Sequence, residues 1–193
     1  MQYHIYEAKD YLKMPWKNGQ GFTREIRREP AEGDFHWRLS IAQIKENGPF
    51  SSFPHYTRII STLTGAGMVL TVDGTKSRPL RQYDPFIFSG ASSVESELID
   101  GPIEDFNLIF NPDFYQANLK WLNMDQSVEI TGGTVLIYSV GGHTIKCAGQ
   151  AAKVSSGSTL EIINNEDKRI SLLIEASPGS KDRHFGLMEI RPA

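Results

Sequence analysis

Turn residues interrupt this chain at intervals of about 8 to 12 positions, and no stretch between them keeps a helical period. The interruptions include Glu46-Asn47-Gly48-Pro49, Thr64-Gly65-Ala66-Gly67, Asp73-Gly74, Gly101-Pro102, Gly132-Gly133, Gly141-Gly142, Ser156-Gly157 and Asn164-Asn165-Glu166-Asp167. Short runs bounded in this way pair as antiparallel strands, so the expected class is all-β, a sandwich or barrel with little helix.

The pattern is sharpest from Trp37 to Gly67, which reads as three consecutive strands. Along 35–44, Phe35, Trp37, Leu39 and Ile41 fall on one face, and His36, Arg38, Ser40 and Ala42 on the other. One face packs; the other meets water or a lumen. Beyond Pro54-His55 a strand carries Arg58 to Leu63, and a later one alternates Phe106, Leu108 and Phe110 with Asp105, Asn107 and Ile109. Asparagine is disfavoured inside strands, which marks Asn107 as either a satisfied lumen residue or a ligand contact. Upstream, Phe22, Arg24 and Ile26 share a face, so Arg24 either snorkels to water or belongs to a site.

Asn111-Pro112-Asp113 is the expected boundary between two modules, residues 1–112 and 113–193. Past it, strands recur over Tyr115 to Trp121, Thr134 to Val140, Thr144 to Cys147, Ala151 to Val154, Thr159 to Ile163, Ile170 to Ala176 and His184 to Ile190. Each half ends a series of short strands on an apolar one, and a double β-barrel follows from that pattern.

A formal net charge of -3 and a pI near 6.0 leave no electrostatic footprint for nucleic acid, and none is expected as a partner. The opening MQYHIYEAKDYLK is charged throughout, and no segment approaches the roughly 20 apolar residues needed to span a bilayer, so the expected compartment is the cytoplasm. The lone Cys147 sits beside Ile145 and Ala148, a setting that suits a small core residue better than a nucleophile.

Barrel enzymes often hold a metal through two histidines one residue apart, a carboxylate shortly after and a third histidine on a later strand. The five histidines here, His4, His36, His55, His143 and His184, are never that close, and no carboxylate follows His55 before Asp73. No metal or cofactor is expected on this ground. There is no G-x-S-x-G elbow and no P-loop, and Glu95 and Glu97 read as a solvated face.

The unusual feature that remains is arginine. Arg24, Arg38 and Arg58 all fall inside strands, on faces otherwise small, apolar or weakly polar. A guanidinium matches a carboxylate in two-point geometry, so two of them converging would take an anion. The alternative is a set of structural salt bridges to Glu25, Asp105 or other acids.

Several of these residues also fall into motifs. Trp16-Lys17-Asn18 with Gly21-Phe22-Thr23-Arg24-Glu25-Ile26, the run FHWRLSIA from Phe35 to Ala42, GPFSSFP from Gly48 to Pro54, Arg58, Leu63-x-Gly65-x-Gly67 and Asp105-Phe106-Asn107 together resemble the HutD/Ves family. The motifs lie in the first 110 residues; the second half is similar in strand pattern and length. The resemblance implies a bicupin, two cupin-like β-barrel modules, forming a homodimer and lacking the usual cupin metal set. It further implies that the chain binds a small anionic metabolite without a demonstrated reaction. In the histidine-utilisation branch that metabolite is an acidic intermediate such as formylglutamate, and other members are linked to cold and stress responses. The candidate ligand-binding residues are Arg38 and Arg58 on the anion, Arg24, Ser40 and Asn107 in the polar lining, Trp16 and Trp37 as apolar wall, and His55 in the adjoining turn. The rival expectation is a cupin enzyme, an isomerase, hydrolase or metal-dependent oxygenase, acting on a small acid.

Overall fold

The structure is a computed structural model, and it describes residues 2–16 and 21–193, without the side chains of residues 167 and 168. Part of the loop expected at Met14 to Gly21, with Lys17 and Asn18 of the family motif, lies outside the described residues.

In chain order the strands are β1 (Gln2–Tyr6), β2 (Leu12–Pro15), β3 (Gly21–Glu29), β4 (Trp37–Ile44), β5 (Gly48–Pro49), β6 (Thr57–Thr64), β7 (Met68–Val72), β8 (Thr75–Lys76) and β9 (Phe86–Ser89). They continue with β10 (Val94–Leu98), β11 (Ile103–Phe110), β12 (Tyr115–Leu122), β13 (Gln126–Ser139), β14 (His143–Cys147), β15 (Gln150–Val154), β16 (Thr159–Ala176) and β17 (Phe185–Pro192). One 3₁₀ turn, Ala8–Asp10, is the only helical element among the described residues, and no helix is long and apolar enough to cross a membrane. The all-β class expected from the turn spacing is what forms.

The chain divides into two compact units. One is Leu12–Gln116 with residue 193, and the other joins residues 1–11 to Ala117–Pro192. The division falls a few residues after the expected Asn111-Pro112-Asp113. The first residues go with the C-terminal strands because β1 runs antiparallel to β16, from Gln2 opposite Ile163 to Tyr6 opposite Thr159.

In the N-terminal unit a six-stranded sheet, β2-β3-β4-β11-β6-β9, and a four-stranded sheet, β5-β10-β7-β8, share one core. Ile44, Ile60, Phe88 and Ile103 from the first meet Met68, Leu70 and Val94 from the second. Side chains of this size contribute about 1.5–3 kcal/mol each when fully buried. That apolar layer occupies part of the interior; polar side chains line the rest.

The C-terminal unit is a single seven-stranded sheet, β12-β17-β13-β16-β14-β15, with β1 added on β16. Its long β13–β16 pair bends at a bulge between Thr131 and Gly133. Gly133 has φ +83°, and a Cβ there would sit 2.5 Å from the Ile190 carbonyl oxygen, so the bend needs glycine. The break expected at Asn164 to Asp167 does not occur. β16 is continuous through it, but its ladder with β13 jumps from Arg169 opposite Thr131 to Asn164 opposite Gly133, so the turn residues are taken up in the bulge.

Candidate functional site

β4 and β11 lie side by side at the centre of the six-stranded sheet, and β6 flanks β11 on its other edge. Register sets Arg38 and Arg58 on either side of Ile109, Ser40 and Ile60 on either side of Asn107, and Ala42 and Thr62 on either side of Asp105. Because strand side chains alternate, Arg38, Ser40 and Ala42 emerge on the same face as Asp105, Asn107 and Ile109. That face walls a cavity of about 510 Å³, closed by Thr23 of β3, the Pro49 to Phe53 segment, Arg58 and Trp16. The volume suits a small-molecule ligand. The β11–β6 ladder is regular from Asp105 opposite Thr62 to Ile109 opposite Arg58, so Asp105 and Arg58 share a side, and the bulge that skips Leu63 falls beyond Asp105.

Arg58 is almost fully buried, at 6% exposure. It donates from Nη2 to Asn107 Oδ1 at 2.7 Å and from Nη1 to the Ser51 carbonyl oxygen at 3.2 Å. Its guanidinium also lies over the rings of Phe50, Phe53 and Phe88, at 5.1, 5.4 and 5.1 Å from their centroids. Burial lowers its pKa to about 10, against the pull of Asp105 and with some help from Arg38, so it remains a cation at neutral pH.

Arg38 has less support. Its guanidinium sits 5.0 Å from the Phe35 ring centroid and 5.3 Å from that of Phe53, and among the described residues no acceptor is hydrogen-bonded to it. Its Nε, like that of Arg58, is buried without a partner. Burial lowers its pKa, partly offset by Glu25. A desolvated cation without an acceptor is costly to keep, and an anion in the cavity would relieve that cost.

Asn107 relays between charges: its amide Nδ2 donates to Asp105 Oδ2 at 2.6 Å while its Oδ1 accepts from Arg58. Asp105 Oδ1 accepts from the Ala42 N–H at 3.2 Å. Burial pushes the Asp105 pKa up to about 6; the bond from Asn107, the charge of Arg58 and the Ala42 amide oppose the rise. Trp16 donates its indole N–H to Thr23 Oγ1 at 2.9 Å and stands as apolar wall. Gly21 allows that position, since a Cβ there would come within 3.0 Å of the indole ring and 2.3 Å of the Gln43 carbonyl oxygen.

Of the expected site residues, the cavity brings together Arg38, Arg58, Ser40, Asn107 and Trp16. Three others stand elsewhere. Arg24 projects from the opposite face of β3 to Thr23 and pairs with Glu104 at 2.6 Å, the salt-bridge alternative of the sequence. Trp37 precedes Arg38 in β4 and so faces away from the cavity, buried beneath the Arg27 guanidinium at 5.4 Å. His55 is an exposed turn residue with φ +71°. The lining also includes Asp105, Thr23, Phe50, Ser51 and Phe53, which were not among the expected site residues. For Asp105 the signal was present, because it shares the face of Asn107.

The donor set does not fit the usual cupin metal. The cavity offers one carboxylate, two arginines and no histidine or cysteine, and no group of three or more His, Cys, Asp or Glu able to hold an ion occurs among the described residues. Glu95 and Glu97 are exposed, and Glu97 pairs with Lys76 at 2.8 Å.

The HutD family model matches residues 8–178. The chain is 49% identical over 144 residues to an uncharacterised 21.2 kDa protein in the hutC 3′ region of Pseudomonas putida, covering 74% of this chain and 76% of that one. It is 34% identical to protein Ves of Citrobacter koseri, over 90% of this chain and 96% of the relative. The solved structure of HutD from Pseudomonas fluorescens superposes with a TM-score of 0.86 at 41% identity, over 100% of both chains. The cupin fold extends to far more distant proteins, such as a salicylate 1,2-dioxygenase at TM-score 0.59 and 9% identity, a likeness of fold alone.

Proposed function

The chain belongs to the HutD family, and from that premise we propose that its N-terminal barrel is a non-catalytic receptor for a small carboxylate that regulates or limits histidine utilisation by sensing an intermediate such as formylglutamate. Arg38 carries the proposal: a cation inside the cavity, held by aromatic faces and free of any hydrogen-bonded acceptor among the described residues. Arg58, already steered by Asn107 and Ser51, presents the second guanidinium, and Ser40 and Trp16 complete the enclosure. Two arginines against one acid leave the lining net positive, the sign that an anion needs. A thermal-shift screen with formylglutamate, formiminoglutamate, urocanate and glutamate tests it. Ligand at 100 times its Kd stabilises by about 2.7 kcal/mol, and the absence of a shift with every acid tried counts against the receptor.

One observation supports an enzyme instead. A buried carboxyl with its pKa raised to about 6, such as Asp105, is suited to proton transfer near neutral pH. Conversion of the best-bound acid to a new species, followed by proton NMR and abolished in Asp105→Asn, would move the assignment to that reading.

A further inference from the structure

Opposite charges line one strand face of the cavity. Ile109, flanked by both arginines, and Asp105 are four residues apart along β11, about 13 Å between Cα atoms at the usual strand rise. Arg58 leans along that interval to reach Asn107, so only the Asn107 amide stands between its guanidinium and the Asp105 carboxylate. Among the described residues Arg38 has no such relay to Asp105, and the cavity that both line is open to a small two-ended molecule.

Asp105 is not fully provided for by the protein. Its carboxylate accepts from the Asn107 amide, the Ala42 N–H and its own backbone N–H, short of the about four hydrogen bonds that a carboxylate can take, and it has no ion-pair partner among the described residues. It nevertheless lines the cavity at 1% exposure. A buried acceptor turned toward a cavity repels a second carboxylate and attracts a donor.

Resting on the carboxylate-receptor reading, we infer that the site selects a two-ended ligand: a carboxylate at Arg38 and Arg58, and a nitrogen-borne hydrogen-bond donor, an amide N–H or a guanidinium- or amidinium-like cation, at Asp105. Asp105 is then a specificity-determining residue. Simple dicarboxylates of the same length are the ligands it excludes.

Three probes of matched length separate these cases: glutarate with two carboxylates, glutaric acid monoamide, and 3-guanidinopropionate. Calorimetric titration of the parent protein at pH 7.5 is expected to rank 3-guanidinopropionate and the monoamide at least about tenfold tighter than glutarate. Asp105→Asn is expected to erase that preference and to tighten glutarate. The parental ranking needs no variant, so the inference stands or falls even if Asp105→Asn does not fold. Glutarate binding as tightly as the other two overturns the inference and leaves the carboxylate receptor intact. Failure of all three to bind, with no displacement of any acid that does, overturns both.

Discussion

The two units share strand architecture but fill their interiors differently. In the C-terminal one, Ile130, Val135, Ile137, Ile145, Leu160, Leu172, Ile174 and Phe185 form a continuous apolar core. Its buried His143 is satisfied within the unit: Nδ1 meets Ser139 Oγ at 2.8 Å and Nε2 meets the Arg183 carbonyl oxygen at 3.2 Å. A small apolar cavity there measures about 30 Å³, roughly the share of one water molecule in the liquid. In the N-terminal one, the corresponding depth holds Arg58, Asp105, Asn107 and Ser40 around about 510 Å³. Packing makes one barrel stable; the other gives up packing for a lined, charged space. Alternation along the strands permits either outcome, and the identity of the inward residues decides between them.

That contrast predicts unequal responses to substitution. The largest effect belongs to the packed unit: Phe185→Ala, at a fully buried position, is expected to cost about 3–5 kcal/mol in urea unfolding while ligand affinity in the other unit stays unchanged. An affinity loss of tenfold or more would show that the units are not energetically separate.

Next comes the buried carboxyl of the hollow unit. Its pKa is raised from 3.8 to about 6 on folding, so the folded state holds a proton that the unfolded chain has released. Asp105 therefore favours folding most below about pH 4, and this contribution is lost as pH rises through about 6, a change of about 3 kcal/mol. Urea unfolding at a series of pH values reads it, and Asp105→Asn should flatten the profile. A profile identical in parent and variant contradicts the assignment to Asp105.

The smallest effect is expected at Arg24, whose partly exposed pair with Glu104 lies outside the cavity: Arg24→Ala should cost no more than about 1 kcal/mol of stability and leave ligand binding unchanged.

Much of this architecture is legible in the strands. The two-residue period alone puts Arg38 with Ser40, and Asn107 with Asp105 and Ile109, on common faces, and those faces form the cavity wall. The same period shows why Trp37 and Arg38 do not share the lumen: neighbours in a strand point to opposite sides of the sheet. Thr23 and Arg24 divide in the same way, and local pattern alone does not say which of two half-apolar faces becomes the interior. Phe50, Ser51 and Phe53 are out of reach for another reason. They follow the two-residue β5 and lie outside regular strands, and tertiary contacts, with Arg58 and through backbone bonds to Val94 and Gly90, place them. Asp105 is visible in the sequence as a charge but reads there as a salt-bridge acid, because burial and the relay through Asn107 arise only once β4, β6 and β11 are assembled.

The receptor rests on Arg38 more than on any other residue, and calorimetric titration of formylglutamate into the parent and Arg38→Ala tests it directly. Loss of one charge-assisted hydrogen bond costs about 1.5–3 kcal/mol, so the variant is expected to bind about 10- to 150-fold more weakly. Its stability should change little, since its side-chain contacts are the faces of Phe35 and Phe53. Equal affinity in a folded Arg38→Ala protein would contradict the account.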